Sequence, residues 1–169
     1  MCLLNVPECA ILSQLSEVEY PEAISILQHL ILVTDIANHC RQMAMLRQLP
    51  GCFDNDNEMH QMQLLGLLMT CSDLNQVTKP LETALYIGDL IYEEFHNQGD
   101  REKEKGHTPH PMMDREKCAL SAEQIGFINF LAMPAFEVLS EILPETQHLT
   151  DKVQSLLSYW QARSLKENQ

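Results

Sequence analysis

Apolar positions recur along this chain with the 3.6-residue spacing of helices, and no segment alternates with the period of two that a half-buried strand needs. Ser16 and Glu19 form a capping-box pair, and Pro21 suits a first helical turn. From there Ile24, Leu27 and Ile31, together with Leu30, Val33 and Ala37, fall as they would on a mostly buried helix. The pattern predicts that this helix runs to about Leu46, where Leu49-Pro50-Gly51 stops it. Phe53 to Asn57 reads as an acidic turn, followed by a second helix over about Glu58 to Asn75. Lys79-Pro80 opens a third helix that reaches Gln98, with Gly99 as its C-terminal stop. Asp100 to Lys117 is polar, contains Pro109 and Pro111, and reads as a loop. Ser121 opens a fourth helix, bent at Pro134 and ending at Pro144, and an amphipathic last helix covers about Glu145 to Leu165. The expected fold is all-α, a compact multi-helix bundle.

Composition narrows the chemistry. Aromatics are only 6% while Leu, Met and Ile are plentiful, a balance that favours helices packed on helices over β-structure. The net charge of −13 repels phosphate backbones and anionic lipid, so nucleic acid and membrane surfaces are poor partners. Chemistry on a phosphate ester would need bound cations to reverse that field. The six cysteines are scattered without CxxC or zinc-finger spacing, as in a protein of the reducing cytoplasm. MCLLNVPECA has no basic residue and is broken by Pro7 and Glu8, so it does not read as a signal peptide. No apolar run approaching ~18 residues is evident, so no membrane span is expected. A length of 169 residues allows one domain or part of a larger one.

Few residues carry obvious chemistry. Asp73, in LMTCSDLN, is a carboxylate at the end of an apolar helix; it is a metal ligand, a solvated last-turn carboxylate, or a partner of Lys79. Asp35 and His39 share a helix face at i, i+4, as a ligand pair or a hydrogen-bonded pair. His107 and His110 lie in the Pro-containing loop and read as solvated. No GxSxG elbow, phosphate-cradling glycine loop or HExxH is present. Gln124 and Phe127, three apart on the fourth helix with Leu131 one turn on, put an amide beside a ring. That combination suits a purine, the amide pairing with the base edge and the ring stacking on its face. It equally fits a Ser121–Gln124 capping box with Phe127 in the core.

LMTCSDLNQVTKP, EEFHNQGDREKEKG, PMMDREK and AEQIGFINFLAMP occur in that order, preceded by AILSQLSEVEY and LILVTDIANH. Together they resemble the C-terminal half of the class I 3′,5′-cyclic-nucleotide phosphodiesterase catalytic domain, from about Cys9 to Ala162. PMMDREK and VTDIANH look most like the dual-specificity, cGMP-regulated class and its GAF-containing relatives. The resemblance implies the all-helical fold of that domain's back half over residues 1–169, and hydrolysis of cyclic AMP or cyclic GMP to the 5′-monophosphate. It implies zinc and magnesium (or manganese) in the complete domain, bridging the attacking hydroxide. By motif, Asp73 corresponds to the final metal-binding aspartate, Gln124 to the purine-binding glutamine, and Phe127 and Ile91 to the two jaws of the clamp on the base. Ile36, Leu74 and Met113 or Met112 would line the same pocket. The family's histidine and HD motifs do not occur in this chain, which leaves no catalytic residue within it and too few ligands to hold the metals alone. The expected behaviour of the isolated chain is no turnover and possible homodimerisation through an uncovered apolar face; the alternative is a truncated isoform acting as a helical interaction module.

Overall fold

The computed structural model describes residues 6–167, and Cys2 and the first half of the N-terminal decapeptide lie outside them. Helices follow one another as α1 (Glu19–Val33), α2 (Ile36–Leu46), α3 (Glu58–Asp73), α4 (Leu81–Glu104), α5 (Leu120–Phe127), α6 (Met133–Ile142) and α7 (Gln147–Glu167), with no strand among the described residues. The Ser16–Glu19 box forms in both directions: the Ser16 amide donates to Glu19 Oε2 at 2.9 Å and the Glu19 amide to Ser16 Oγ at 3.2 Å.

The single helix expected to reach Leu46 is two. Asp35 sits in extended backbone at φ −67°, ψ 115° and caps α2, its Oδ1 accepting from the Ala37 amide at 2.9 Å. The Asp35 carboxylate is thus engaged by the Ala37 amide and makes no side-chain bond to the His39 ring among the described residues; the two residues meet through the His39 amide, which donates to the Asp35 carbonyl at 3.0 Å. α1 is also less buried than its periodicity suggests. Ile24 and Val33 are buried, but Ile31 is 69% and Leu32 62% exposed.

α4 continues through Gly99 to Glu104, because Gly99 is needed for a close approach and not for a stop. A Cβ there would lie 2.0 Å from the Met113 carbonyl oxygen. The C-terminus falls instead at Gly106, whose φ of +79° closes a Schellman turn: its amide donates to Lys103 O and the His107 amide to Glu102 O, both at 2.9 Å. The polar segment that follows contains a 3-10 turn over Pro111–Met113.

α5 and α6 join through a π turn, Ile128–Ala132, just before Pro134. Pro134 cannot donate to the carbonyl four residues back and its ring needs room there, which the wider turn supplies in place of a sharp bend. The joined run Leu120–Ile142 is long and apolar enough to cross a membrane by length and composition, an exception to the expectation from sequence. In the fold it is the central helix. Ala132, Ala135, Phe136 and Leu139 are buried, and α6 packs on α3 and α7, where Leu67, Val153, Leu157 and Trp160 meet it.

Candidate functional site

The N-terminal part of this central run does not carry a capping box. The N-cap is Ala119, without a side-chain bond, and Ser121 lies inside the helix. Gln124 is thereby free of the helix terminus. It is only 7% exposed, and among the described residues no side chain or backbone group hydrogen-bonds its amide. One turn on, Phe127 is half-buried, resting on the core on one side.

Both residues face a cavity of about 490 Å³, within the range of small-ligand sites. Its walls come from α2 (Ile36), α4 (Ile91, Tyr92 and Phe95), the 3-10 turn (Met112) and α5 with the π turn (Gln124, Phe127 and Leu131). Ile91 and Phe127, far apart in sequence, are walls of one space. Tyr92 and Phe95 pack edge to face at 5.7 Å, and burial pushes the Tyr92 hydroxyl above its ordinary pKa. The lining is apolar except for the Gln124 amide, Glu123 and the Tyr92 hydroxyl.

A second, smaller cavity of about 80 Å³ lies beside the first, the two sharing Ile36 and Leu131. Asp73, Leu74, Thr70 and His39 line it. Asp73 ends α3 with its side chain exposed, and among the described residues it makes no ion pair with Lys79 or any other cation. His39 is 4% exposed, its Nε2 has no hydrogen-bond partner among the described residues, and burial holds its pKa below the ordinary imidazole value.

Two expected pocket residues stand elsewhere. Met113 does not line the larger cavity; Met112 does, because the 3-10 turn lays the Met113 backbone on Gly99 and turns its neighbour inward. Leu74 belongs to the smaller cavity with Asp73. Phe95, Tyr92 and Cys40 line the larger one and were not singled out from sequence. Phe95 follows Ile91 by one helical turn, a spacing that could have pointed to it.

The metals that the resemblance implies need more donors than these residues bring together. Among the described residues no three His, Cys, Asp or Glu side chains converge. Zinc takes three or four protein ligands, and Asp73 with His39 offers at most two. These residues do not by themselves fit a zinc centre.

The fold and cavity define an all-helical protein with a largely apolar small-ligand cleft that the Gln124 amide faces. A family model described as 3′5′-cyclic nucleotide phosphodiesterase matches residues 1–153. The chain is 33% identical over 165 residues to the high affinity cGMP-specific 3′,5′-cyclic phosphodiesterase 9A of Homo sapiens, covering 98% of this chain and 27% of that protein. It is 30% identical over 154 residues to the probable 3′,5′-cyclic phosphodiesterase pde-5 of Caenorhabditis elegans, covering 89% of this chain and 21% of that one. The chain belongs to the 3′,5′-cyclic nucleotide phosphodiesterase family, and spans about a quarter of the length of these relatives.

Proposed function

We propose that this chain supplies the base-binding wall, and one metal-ligating carboxylate, of a 3′,5′-cyclic-nucleotide phosphodiesterase. The observation that carries this reading is Gln124, a residue only 7% exposed whose amide makes no hydrogen bond among the described residues, lining the same cavity as Phe127 and Ile91, next to the cavity of Asp73. In a purine complex Gln124 donates to and accepts from the base edge, while Phe127 and Ile91 take its two faces. Asp73 would be one ligand of a divalent cation whose other ligands come from outside the residues described, and such a cation would supply an activated water. Such a cation would also offset the repulsion between this acidic chain and an anionic substrate.

The relatives are named cGMP-specific or simply 3′,5′-cyclic, and no side chain among those described fixes the orientation of the Gln124 amide. An amide free to turn presents donor and acceptor in either order, which supports acceptance of both cyclic GMP and cyclic AMP, the property of the dual-specificity, GAF-containing relatives. The five described cysteines are free thiols, compatible with a cytoplasmic setting.

A second reading, a helical interaction module without turnover, is favoured by the exposed Ile31, Leu32 and Ile36. Turnover separates the two. In a longer protein that contains this chain and hydrolyses cyclic nucleotides, Asp73→Ala is expected to abolish hydrolysis and Gln124→Ala to weaken it. The 169-residue chain alone is expected to hold no stoichiometric zinc and to show no turnover above its Asp73→Ala variant. Unchanged hydrolysis in both longer variants would remove the assignment.

A further inference from the structure

Met112 forms a wall of the larger cavity although it belongs to a loop, and the structure shows what holds that loop in place. Asp114, two residues on, has a side chain only 2% exposed and receives Lys103 Nζ from the last turn of α4 at 2.7 Å. The Glu116 amide donates to the same carboxylate oxygen at 3.0 Å, and Lys117 Nζ stands 3.3 Å from the other. Arg115 grips the opposite side of the loop. Its two terminal nitrogens donate to the two Glu93 oxygens at 3.0 Å each, one of them also to Asn97 at 2.8 Å, and its Nε to Asp100 at 2.9 Å. Between these grips the Met113 carbonyl rests on Gly99, where no side chain fits.

Glu93, Asn97, Asp100 and Lys103 all lie on α4, the helix that also presents Ile91, Tyr92 and Phe95 to the cavity. An isolated exposed ion pair contributes little, but a bidentate guanidinium with a third and fourth acceptor fixes geometry. We propose that Arg115 and Asp114 are positioning residues of the cavity: they lock the Pro111–Met113 turn to α4 so that Met112 closes one wall. Its effect on ligand affinity rests on the purine-site reading above; the loop position does not.

Methyl NMR of the full 169-residue chain labelled at methionine tests this, with the Met112 signal assigned by Met112→Leu. Met43 and Met133, each 7% exposed in the core, serve as internal controls. Arg115→Ala is expected to shift and broaden the Met112 methyl, leave Met43 and Met133 in place, and weaken binding of added cyclic GMP about tenfold, the scale of a missing apolar contact in such a site. Arg115→Lys is expected to behave like Arg115→Ala, since one ammonium cannot reproduce the fork. An unmoved Met112 signal in Arg115→Ala with the controls intact overturns the proposal. Should Arg115→Ala disturb the controls too, Glu93→Gln removes the charge of one exposed partner; a Met112 signal still at its wild-type position there also overturns it. If cyclic GMP leaves wild-type Met112 unmoved while Arg115→Ala displaces it, the purine reading falls and the lock stands.

Discussion

Replacing Gln124 by leucine should make the protein more stable and a poorer purine binder at once. Leucine has nearly the volume of glutamine, so the substitution opens no cavity of consequence. What it removes is the amide of a residue that is 7% exposed, with no hydrogen-bond partner among the described residues. Burying such a group without a hydrogen bond costs about 1–3 kcal/mol on mutational scales. Because this amide borders an open cavity and keeps some water, the gain belongs at the lower end, from about 0 to 1 kcal/mol. Binding moves the other way. Two amide–base hydrogen bonds at about 0.5–1.5 kcal/mol each come to ~1–3 kcal/mol. That is a loss of roughly 5- to 150-fold in affinity. Urea unfolding of the chain reads the first quantity, and titration with cyclic GMP or cyclic AMP reads the second. A destabilisation above about 1 kcal/mol would mean that the amide is bonded within the fold, and unchanged affinity would mean that the base does not meet it. Either result refutes the reasoning, because a structural and a ligand-binding glutamine differ in the sign of the stability effect.

Phe136→Ala, at 2% exposure where α6 meets the core, is expected to cost about 3–5 kcal/mol in urea unfolding, and Phe130→Ala, at 83% exposure, within about 0.5. The Asp114 carboxyl is held down to about 2, first by the Lys103 hydrogen bond and then by the Glu116 amide. A depressed folded-state pKa gives stability that is full above the ordinary 3.8 and lost as pH falls toward about 2, so melting temperature should drop over that window and Asp114→Asn should flatten it. Size-exclusion with light scattering should show concentration-dependent association of the chain, relieved by Ile31→Lys with Leu32→Glu; association that persists would place the contact elsewhere. Asp35→Ala should lose about 1 kcal/mol of stability while Asp35→Asn loses little, since asparagine also caps; equal losses would assign the effect to charge.

Local chemistry was legible where it acts locally. The reciprocal bonds of Ser16 and Glu19 and the start of α3 after Asn57 follow from residues within one turn of each other. Gln124 and Phe127 could be paired from sequence because three residues of helix put them on one face, and the structure has them in one cavity. Tertiary approach was not legible. Gly99 carries the sequence mark of a helix stop, and only the Met113 carbonyl lying against it explains why the helix continues. Asp35 has ligand-like spacing to His39, yet its oxygen satisfies the Ala37 amide because the backbone turns there. Met112 and Met113 are indistinguishable as neighbours in sequence, and the turn geometry alone decides which one faces inward. The periodicity of α1 promised burial that Ile31 and Leu32 do not have among these residues, since a pattern states which face is apolar and not what covers it.

The break at Thr34 and Asp35 bears on the site as a whole. It starts α2 at Ile36, and that residue, with Leu131, is the partition between the cavity of Gln124 and the cavity of Asp73. A ligand lying across this partition meets mostly apolar walls with the Gln124 amide, Glu123 and the Tyr92 hydroxyl on one side, and a carboxylate and an imidazole on the other. A nucleotide has the matching polarity, with a flat base at one end and an anionic phosphate at the other. On the proposed reading the base end rests on dispersion contacts and the Gln124 amide, which α4, α5 and the Met112 turn bring to one cavity. The phosphate end must offset negative charge on a chain that is itself at −13, which a lone carboxylate makes worse unless it holds a cation. These residues would therefore supply the half of recognition that depends least on charge. The half that depends on cations is the one for which Asp73 needs partners beyond them.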